Sequence, residues 1–199
     1  MIDTSFLKYP KNGWGYTKPS NIDMIAPFHY IADIVWPIYE KDSKGPKSVI
    51  EIGMFAGHST IVMLELFKNL EYIRSYDPSQ VSKDNAPRIQ KRYPQFEFVN
   101  KPARTEEGEF PVPLPDREID LVFMDGNHLG IWPKIDMETT LDYIKPRYFL
   151  ADNMEHNTVR VRLKKRGLFQ QKHNPKYFFY TNEHKQNLSP GIFGLFKLR

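Results

Sequence analysis

The stretch SVIEIGMFAGHST, from Ser48 to Thr60, decides the fold because it joins a strand, a glycine turn and the start of a helix. Its first half is a β-branched run typical of a buried strand, and one carboxylate, Glu51, lies inside that run. Gly53 and Gly57 follow, and glycine permits both tight turning and close approach of the backbone to a ligand. Because an acid is costly to bury for packing alone, the stretch indicates a binding loop.

Strand and helix patterns alternate along most of the chain. The predicted strands are SVIEIG, YIRSYDP, FEFVN, EIDLVFMDG and RYFLADN, followed by the pair KYFFYTN and GIFGLFKLR. The predicted helices run from Asn21 to near Trp36-Pro37, through HSTIVMLELFKNL, KDNAPRIQKRY and WPKIDMETTLDYI, and from Val159 to Leu168. This alternation implies right-handed crossovers and a mostly parallel sheet that is covered on both faces, so the expected fold class is α/β.

Length and composition predict one domain. A chain of 199 residues suits a single full-sized core, and 40% hydrophobic residues exclude wholesale disorder. Within residues 1–199 we expect an irregular segment (1–20), an N-terminal helix (21–40) and a core (47–199). The chain has no cysteine, no apolar run near the roughly 18 residues of a membrane span, and no apolar core of a secretory signal in its first fifteen residues. We therefore expect a cytoplasmic protein with no membrane partner.

The net charge is +4, and part of it lies in RVRLKKRG, from Arg160 to Gly167. Such a run suits a phosphate backbone, and it equally suits a solvated helix face. The excess is too small to indicate a nucleic-acid-binding protein, so nucleic acid is not the favoured partner.

Acidic residues end three of the first five predicted strands: Asp77, Asp125 and Asp152. Glu51 lies near the end of the first strand. Ligands of open α/β sheets bind outside the carboxyl ends of the strands, so these side chains predict one shared site. The loop reads G-x-x-x-G and lacks the middle glycine of a dinucleotide fingerprint, and its nearby acid favours a cationic ligand over a pyrophosphate.

These features resemble the class I S-adenosylmethionine-dependent methyltransferases. That family reads E/D-x-G-x-x-x-G at the first strand, as Glu51, Gly53 and Gly57 do here, and Asp77 matches its ribose-binding acid. The resemblance implies a Rossmann-like, doubly wound, seven-stranded sheet with a C-terminal antiparallel strand pair, and S-adenosylmethionine as cofactor. The implied cofactor-binding residues are Glu51, Gly53, Gly57, Ser59, Asp77, Ala103 and Asp125.

The ends of the fourth and fifth strands are similar to those of the metal-dependent catechol and caffeoyl-CoA O-methyltransferases. The resemblance implies a divalent cation, Mg²⁺ or Ca²⁺, held by Asp125, Asp152 and Asn153, and hard cations prefer such oxygen ligands. The sequence DGNH also resembles a group of small D-G-x-H methyltransferases whose metal dependence varies. Alternatively, Asp152 and Asn153 cap a turn or the next helix.

His128 stands where the catechol-type enzymes carry a catalytic lysine. Its reference pKa of about 6.5 suits a general base near neutral pH, so His128 and Asp125 are the candidate catalytic residues. Alternatively, His128 only fixes the loop by hydrogen-bonding Asp136 or a strand end.

The expected function is methyl transfer from S-adenosylmethionine to a hydroxyl oxygen of a small-molecule acceptor, assisted by a divalent cation. Two alternatives stay open: a metal-independent methyltransferase acting on a sugar, peptide or nucleic acid, and a catalytically inactive S-adenosylmethionine-binding module. The sequence permits a homodimer without requiring one.

Overall fold

The structure, a computed structural model, describes residues 2–7, 27–41, 45–152, 157–168, 177–180 and 193–198. The strands are β1 (Ser48–Ile52), β2 (Tyr72–Tyr76), β3 (Phe96–Val99), β4 (Leu121–Met124), β5 (Tyr148–Ala151), β6 (Tyr177–Tyr180) and β7 (Phe193–Lys197). The helices are α1 (Ile31–Glu40), α2 (His58–Leu66), α3 (Gln80–Arg92), α4 (Trp132–Glu138) and α5 (Asn157–Lys165). Most of the segment 1–20 lies outside the described residues, so its expected irregularity stays a prediction.

The seven strands form one sheet in the order β3-β2-β1-β4-β5-β7-β6. Strands β1 to β5 pair in parallel, whereas β7 runs antiparallel between β5 and β6. This arrangement confirms the predicted doubly wound sheet with a C-terminal antiparallel pair. The strand order reverses between β1 and β4, and ligands of such sheets bind at this switch point.

The register of the parallel strands aligns their carboxyl ends. Ile52 pairs with both Tyr76 and Met124, and Met124 pairs with Ala151. The residues that follow these partners are Gly53, Asp77, Asp125 and Asp152. Four positions that are far apart in the sequence therefore lie in one row at the same edge of the sheet, as the sequence predicted.

Alternating strand residues supply two hydrophobic clusters, one on each face of the sheet. On one face, Val49 and Phe123 pack with Ile61 of α2 and Val35 of α1. On the other face, Ile50 packs into the cluster that contains Met137 of α4 and Val159 and Leu163 of α5. Strands β1, β4 and β5 are buried along their whole length, which is typical of a parallel sheet covered on both sides.

Helix α1 continues past Trp36-Pro37, where the sequence pattern predicted its end, and ends at Glu40, which is the predicted bound of the N-terminal helix (21–40). This helix has π-helical hydrogen bonding, and the N–H of Lys41 donates to the carbonyl of Trp36. The last turn is held by tertiary contacts, since the carboxylate of Glu40 accepts hydrogen bonds from Arg147 and Tyr148. Helix α4 likewise continues as π-helical turns over Thr139–Ile144. Within the described residues, no helix is both long enough and apolar enough to cross a membrane.

Candidate functional site

A cavity of about 390 Å³ opens at the aligned strand ends. Its walls come from the ends of β1, β2 and β4, from the segment after β3 and from α4. The lining residues are Ile52, Gly53, Phe55, Tyr76, Asp77, Pro78, Pro102, Ala103, Asp125, Gly126, Asn127, Trp132 and Asp136. Its volume lies within the range of ordinary small-molecule sites.

Asp77 orders the loop that forms one wall of this cavity. One carboxylate oxygen accepts the backbone N–H groups of Met54 at 2.9 Å and Phe55 at 2.7 Å. The other oxygen accepts the N–H of Ser79 at 2.7 Å. A carboxylate offers about four acceptor positions, so Asp77 retains capacity for a ligand hydroxyl while it holds the loop.

Gly53 allows the ends of β1 and β4 to approach each other. Its φ is +91°, and a Cβ atom at this position would lie 2.1 Å from the carbonyl oxygen of Asp125. Any other residue would force the two strand ends apart. Gly53 is therefore required by the geometry of the cavity wall itself.

Glu51 is fully buried behind the loop, where it accepts hydrogen bonds from three hydroxyl groups. The donors are Ser59, Thr60 at 2.6 Å and Ser75. Burial raises the pKa of Glu51 to about 7, even though the three donors favour the ionised form. Glu51 thus tethers α2 to β1 and β2 by polar contacts inside the core.

The structure divides the predicted cofactor-binding residues into two groups. Gly53, Asp77, Ala103 and Asp125 line the cavity, whereas the other three lie outside its lining: Glu51, Gly57 and Ser59. The side chain of Ser59 is engaged with Glu51, and φ at Gly57 is +88° at the turn into α2. Cofactor binding by all seven residues stays a prediction.

Sequence reasoning did not assign Tyr76, Pro78 or Asp136 to the cavity. The spacing of Trp132 and Asp136 was the available signal, because residues four apart lie on the same helix face. Asp136 is buried, and burial raises its pKa to about 7. Its Oδ2 atom would lie 2.7 Å from a Cβ atom at Gly126, so this glycine gives the carboxylate room.

Beside the cavity, ligand atoms of Asp125, His128 and Asp152 lie within 4.8 Å of one another. The carboxyl groups of Asp125 and Asp152 are hydrogen-bonded, and the Nε2 atom of His128 lies 3.4 Å from Oδ1 of Asp125. Burial raises the pKa of Asp125 to about 7, and the negative charges of Glu51 and Asp77 act in the same direction. The third predicted metal ligand, Asn153, lies outside the described residues.

The donor atoms of this cluster are of the kinds that bind divalent cations. Two carboxyl groups in hydrogen-bonding contact must share a proton or a cation, because two adjacent carboxylates repel each other. Carboxylate oxygens suit Mg²⁺ and Ca²⁺, and the imidazole of His128 beside them can accept a proton. The backbone of His128 is also held in place, since its carbonyl accepts a hydrogen bond of 2.9 Å from Thr158 of α5.

Comparison with known proteins assigns the family. Residues 50–151, which are 102 of the 199 residues, match the model of the methyltransferase domain family, and the chain belongs to that family. Its sheet order and matched strands are those of a class I S-adenosylmethionine-dependent methyltransferase, as the sequence predicted.

Solved structures share the fold at low sequence identity. The N-terminal domain of human METTL16 in complex with SAH is 10% identical with a TM-score of 0.62, covering 97% of this chain and 75% of its own. The human methyltransferase 10 domain containing protein is 13% identical with a TM-score of 0.61, and the match covers 92% of this chain and 86% of that protein's chain. The O-methyltransferase from Bacillus cereus in complex with SAH is 14% identical with a TM-score of 0.56, and the match covers 92% of this chain and 82% of that enzyme's chain. None of the curated proteins matches the sequence significantly.

Proposed function

We propose that this methyltransferase moves the methyl group of S-adenosylmethionine to a hydroxyl oxygen of a small-molecule acceptor, with a divalent cation at Asp125 and Asp152. The observation that carries the proposal is the position of Asp125, which lines the 390 Å³ cavity and belongs to the Asp125–His128–Asp152 cluster. One residue thus joins a cofactor-sized cavity to a cluster that suits a cation.

The lining of the cavity supports the cofactor assignment. Asp77 has about one remaining acceptor position for a ribose hydroxyl, and Pro102 and Ala103 form an apolar wall for the adenine. Trp132 offers an aromatic surface on the opposite element, α4. The complexes of METTL16 and of the Bacillus cereus O-methyltransferase with SAH support the same assignment.

The residues of the cluster orient the acceptor and take its proton. Bound S-adenosylmethionine supplies an electrophilic methyl group on a sulfonium, and a bound cation supplies positive charge that favours an ionised hydroxyl. Asp125 and Asp152 hold the cation, and His128, beside Asp125, accepts the hydroxyl proton. The remaining requirement is alignment of the two reacting groups, which a preorganised site supplies.

Titration calorimetry of the protein with Mg²⁺ and Mn²⁺, followed by S-adenosylmethionine, tests both parts of the proposal. We expect Asp152→Asn to weaken cation binding about tenfold or more, because affinity for hard cations follows the charge of the ligands. Asp116→Asn is the matched control, since Asp116 is exposed and outside the cluster. Methyl transfer from labelled S-adenosylmethionine to a panel of diols should require the cation.

Three outcomes would contradict the proposal in different ways. Equal cation affinity in the wild type and Asp152→Asn would show that Asp152 is not a metal ligand and would favour the metal-independent alternative. Cofactor binding without transfer to any oxygen, nitrogen or nucleic-acid acceptor would favour an inactive binding module. Failure to bind S-adenosylmethionine would remove the cofactor assignment altogether.

A further inference from the structure

A second cavity, of about 610 Å³, lies between α4 and α5. Its residues, called here the basic groove, are Gly130, Ile131, Lys134, Met137, Glu138, Arg162, Lys165 and Arg166. Four of the eight carry positive charge and one carries negative charge. The function described above uses none of the four cations.

Two of these cations are not neutralised within the described part of the chain. Arg166 forms two hydrogen bonds with Asp142, at 2.8 and 2.6 Å, and Lys134 lies 3.7 Å from Glu138. By contrast, neither Arg162 nor Lys165 forms an ion pair with a described residue. The groove therefore presents a net positive surface to an incoming ligand.

The packing of α5 places part of its positive charge in the groove and the rest outside it. Val159 and Leu163 are fully buried in the core beneath the sheet. Arg162 and Lys165 line the groove, whereas Arg160 and Lys164 of the same helix are exposed and do not line it. Only part of the basic stretch from Arg160 to Gly167 therefore lines the groove.

Helix α4 stands between the basic groove and the cofactor cavity. Trp132 and Asp136 line the cavity, whereas Ile131, Lys134 and Glu138 line the groove. One end of the groove is close to the cluster, because Gly130 follows His128 by two residues and Thr158 of α5 donates to the His128 carbonyl. From Thr158 to Lys165 the helix extends about 10 Å at 1.5 Å per residue, which is enough for more than one anionic group.

We propose that the basic groove binds the phosphoryl groups of a small phosphorylated molecule. Guanidinium groups bind phosphate oxygens with paired hydrogen bonds, and an ammonium beside them adds charge. A small molecule is favoured over nucleic acid because the groove has the volume of a small-molecule site and is bordered by Glu138 and Asp142. If the proposed function holds, this molecule is the methyl acceptor, with its hydroxyl at the cluster and its phosphoryl groups in the groove.

Titration calorimetry with tripolyphosphate, in the presence of EDTA and without added cation, tests the groove directly. We expect binding to the wild type and roughly tenfold weaker binding to the double variant Arg162→Gln/Lys165→Gln, since two charge-assisted contacts are lost. Arg160→Gln/Lys164→Gln removes the same charge from the same helix outside the groove, and we expect its affinity to stay within about threefold of the wild type. Circular dichroism of all three proteins verifies that the variants are folded.

No binding of tripolyphosphate to the wild type, or equal weakening in both double variants, would overturn the proposal. A single-stranded 12-nucleotide RNA gives the other decisive outcome. If the RNA binds more tightly than tripolyphosphate, with a steep salt dependence that Arg162→Gln/Lys165→Gln reduces, the groove is a nucleic-acid site and the small-molecule assignment is wrong. These titrations contain no S-adenosylmethionine, so failure of the proposed methyl transfer would be recognised separately.

Discussion

At the scale of single residues, Gly53 both ends strand β1 and lines the candidate site. Its positive φ turns the chain out of β1, and the absence of a side chain lets the Asp125 backbone approach. The loop that follows also contains Phe55, a non-glycine residue with a φ of +46°. This strained backbone is held by Asp77, which accepts the N–H of Phe55, and by Ser82, which donates to its carbonyl.

We expect Gly53→Ala to lower the free energy of unfolding by about 3 kcal/mol or more, because backbone strain and a steric clash add together. Urea denaturation followed by fluorescence measures this change. Gly167→Ala is the control, because Gly167 also has a positive φ, +72°, but a Cβ atom there would meet nothing within 4 Å. Its cost should be limited to the backbone strain, about 1 kcal/mol. Equal costs at the two positions would show that the close approach to Asp125 does not matter.

At the scale of elements, a polar network ties α1 to β5 and β7 of the sheet. Glu40, in the last turn of α1, accepts hydrogen bonds from Arg147 and Tyr148 and lies 3.4 Å from Lys197 of β7. Arg147 also contacts Asp120 at 3.2 Å. The network therefore joins an N-terminal helix to strands that are more than a hundred residues away in the sequence.

We expect Glu40→Gln to destabilise the protein by about 1–2 kcal/mol, since three donors lose a charged acceptor while Arg147 keeps Asp120 and partial solvation. The thermal unfolding midpoint and the urea midpoint should both fall. Glu71→Gln, at an exposed position, is the matched control and should change the free energy of unfolding by no more than about 0.5 kcal/mol. If both variants are equally stable, the network contributes nothing measurable to the docking of α1.

At the scale of the whole molecule, buried acids collect around the ends of the parallel strands. Glu51 and Asp136 are both buried, and burial raises the pKa of each to about 7 from ordinary values of 4.5 and 3.8. Between pH 4.5 and about 7 the folded protein therefore keeps protons that the unfolded chain has already released near pH 3.8 and 4.5. The free energy of unfolding should fall as the pH rises through this window and should level off above it.

The variant Glu51→Gln isolates one of these protons. We expect its stability to fall less steeply with pH than that of the wild type, by up to about 1.4 kcal/mol per pH unit between pH 5 and 7. Chemical denaturation in EDTA at several pH values measures both slopes. Parallel curves for the two proteins would mean that Glu51 is ionised at its ordinary pKa in the folded state.

The row of Gly53, Asp77, Asp125 and Asp152 could be predicted because each residue directly follows a recognisable strand. Parallel pairing then leaves little freedom in where the strand ends lie. The surroundings of Glu51 could not be predicted, because its hydroxyl partners come from α2 and β2 and their distances depend on packing. The raised pKa of Asp136 could not be predicted either, because it depends on how deeply the folded protein buries this side chain.

By itself, the sequence determined the alternation of strands and helices, the parallel sheet and the location of the candidate site at the carboxyl ends of the strands. These features could be predicted because hydrophobic periodicity and the residues at strand ends are local properties of the sequence. Only the tertiary structure decided which side chains reach the cavity and which remain in the core. It also decided that Arg162 and Lys165 face a groove while Arg160 and Lys164 do not. These choices depend on how the helices are rotated against the sheet, and that rotation results from contacts between residues that are distant in the chain.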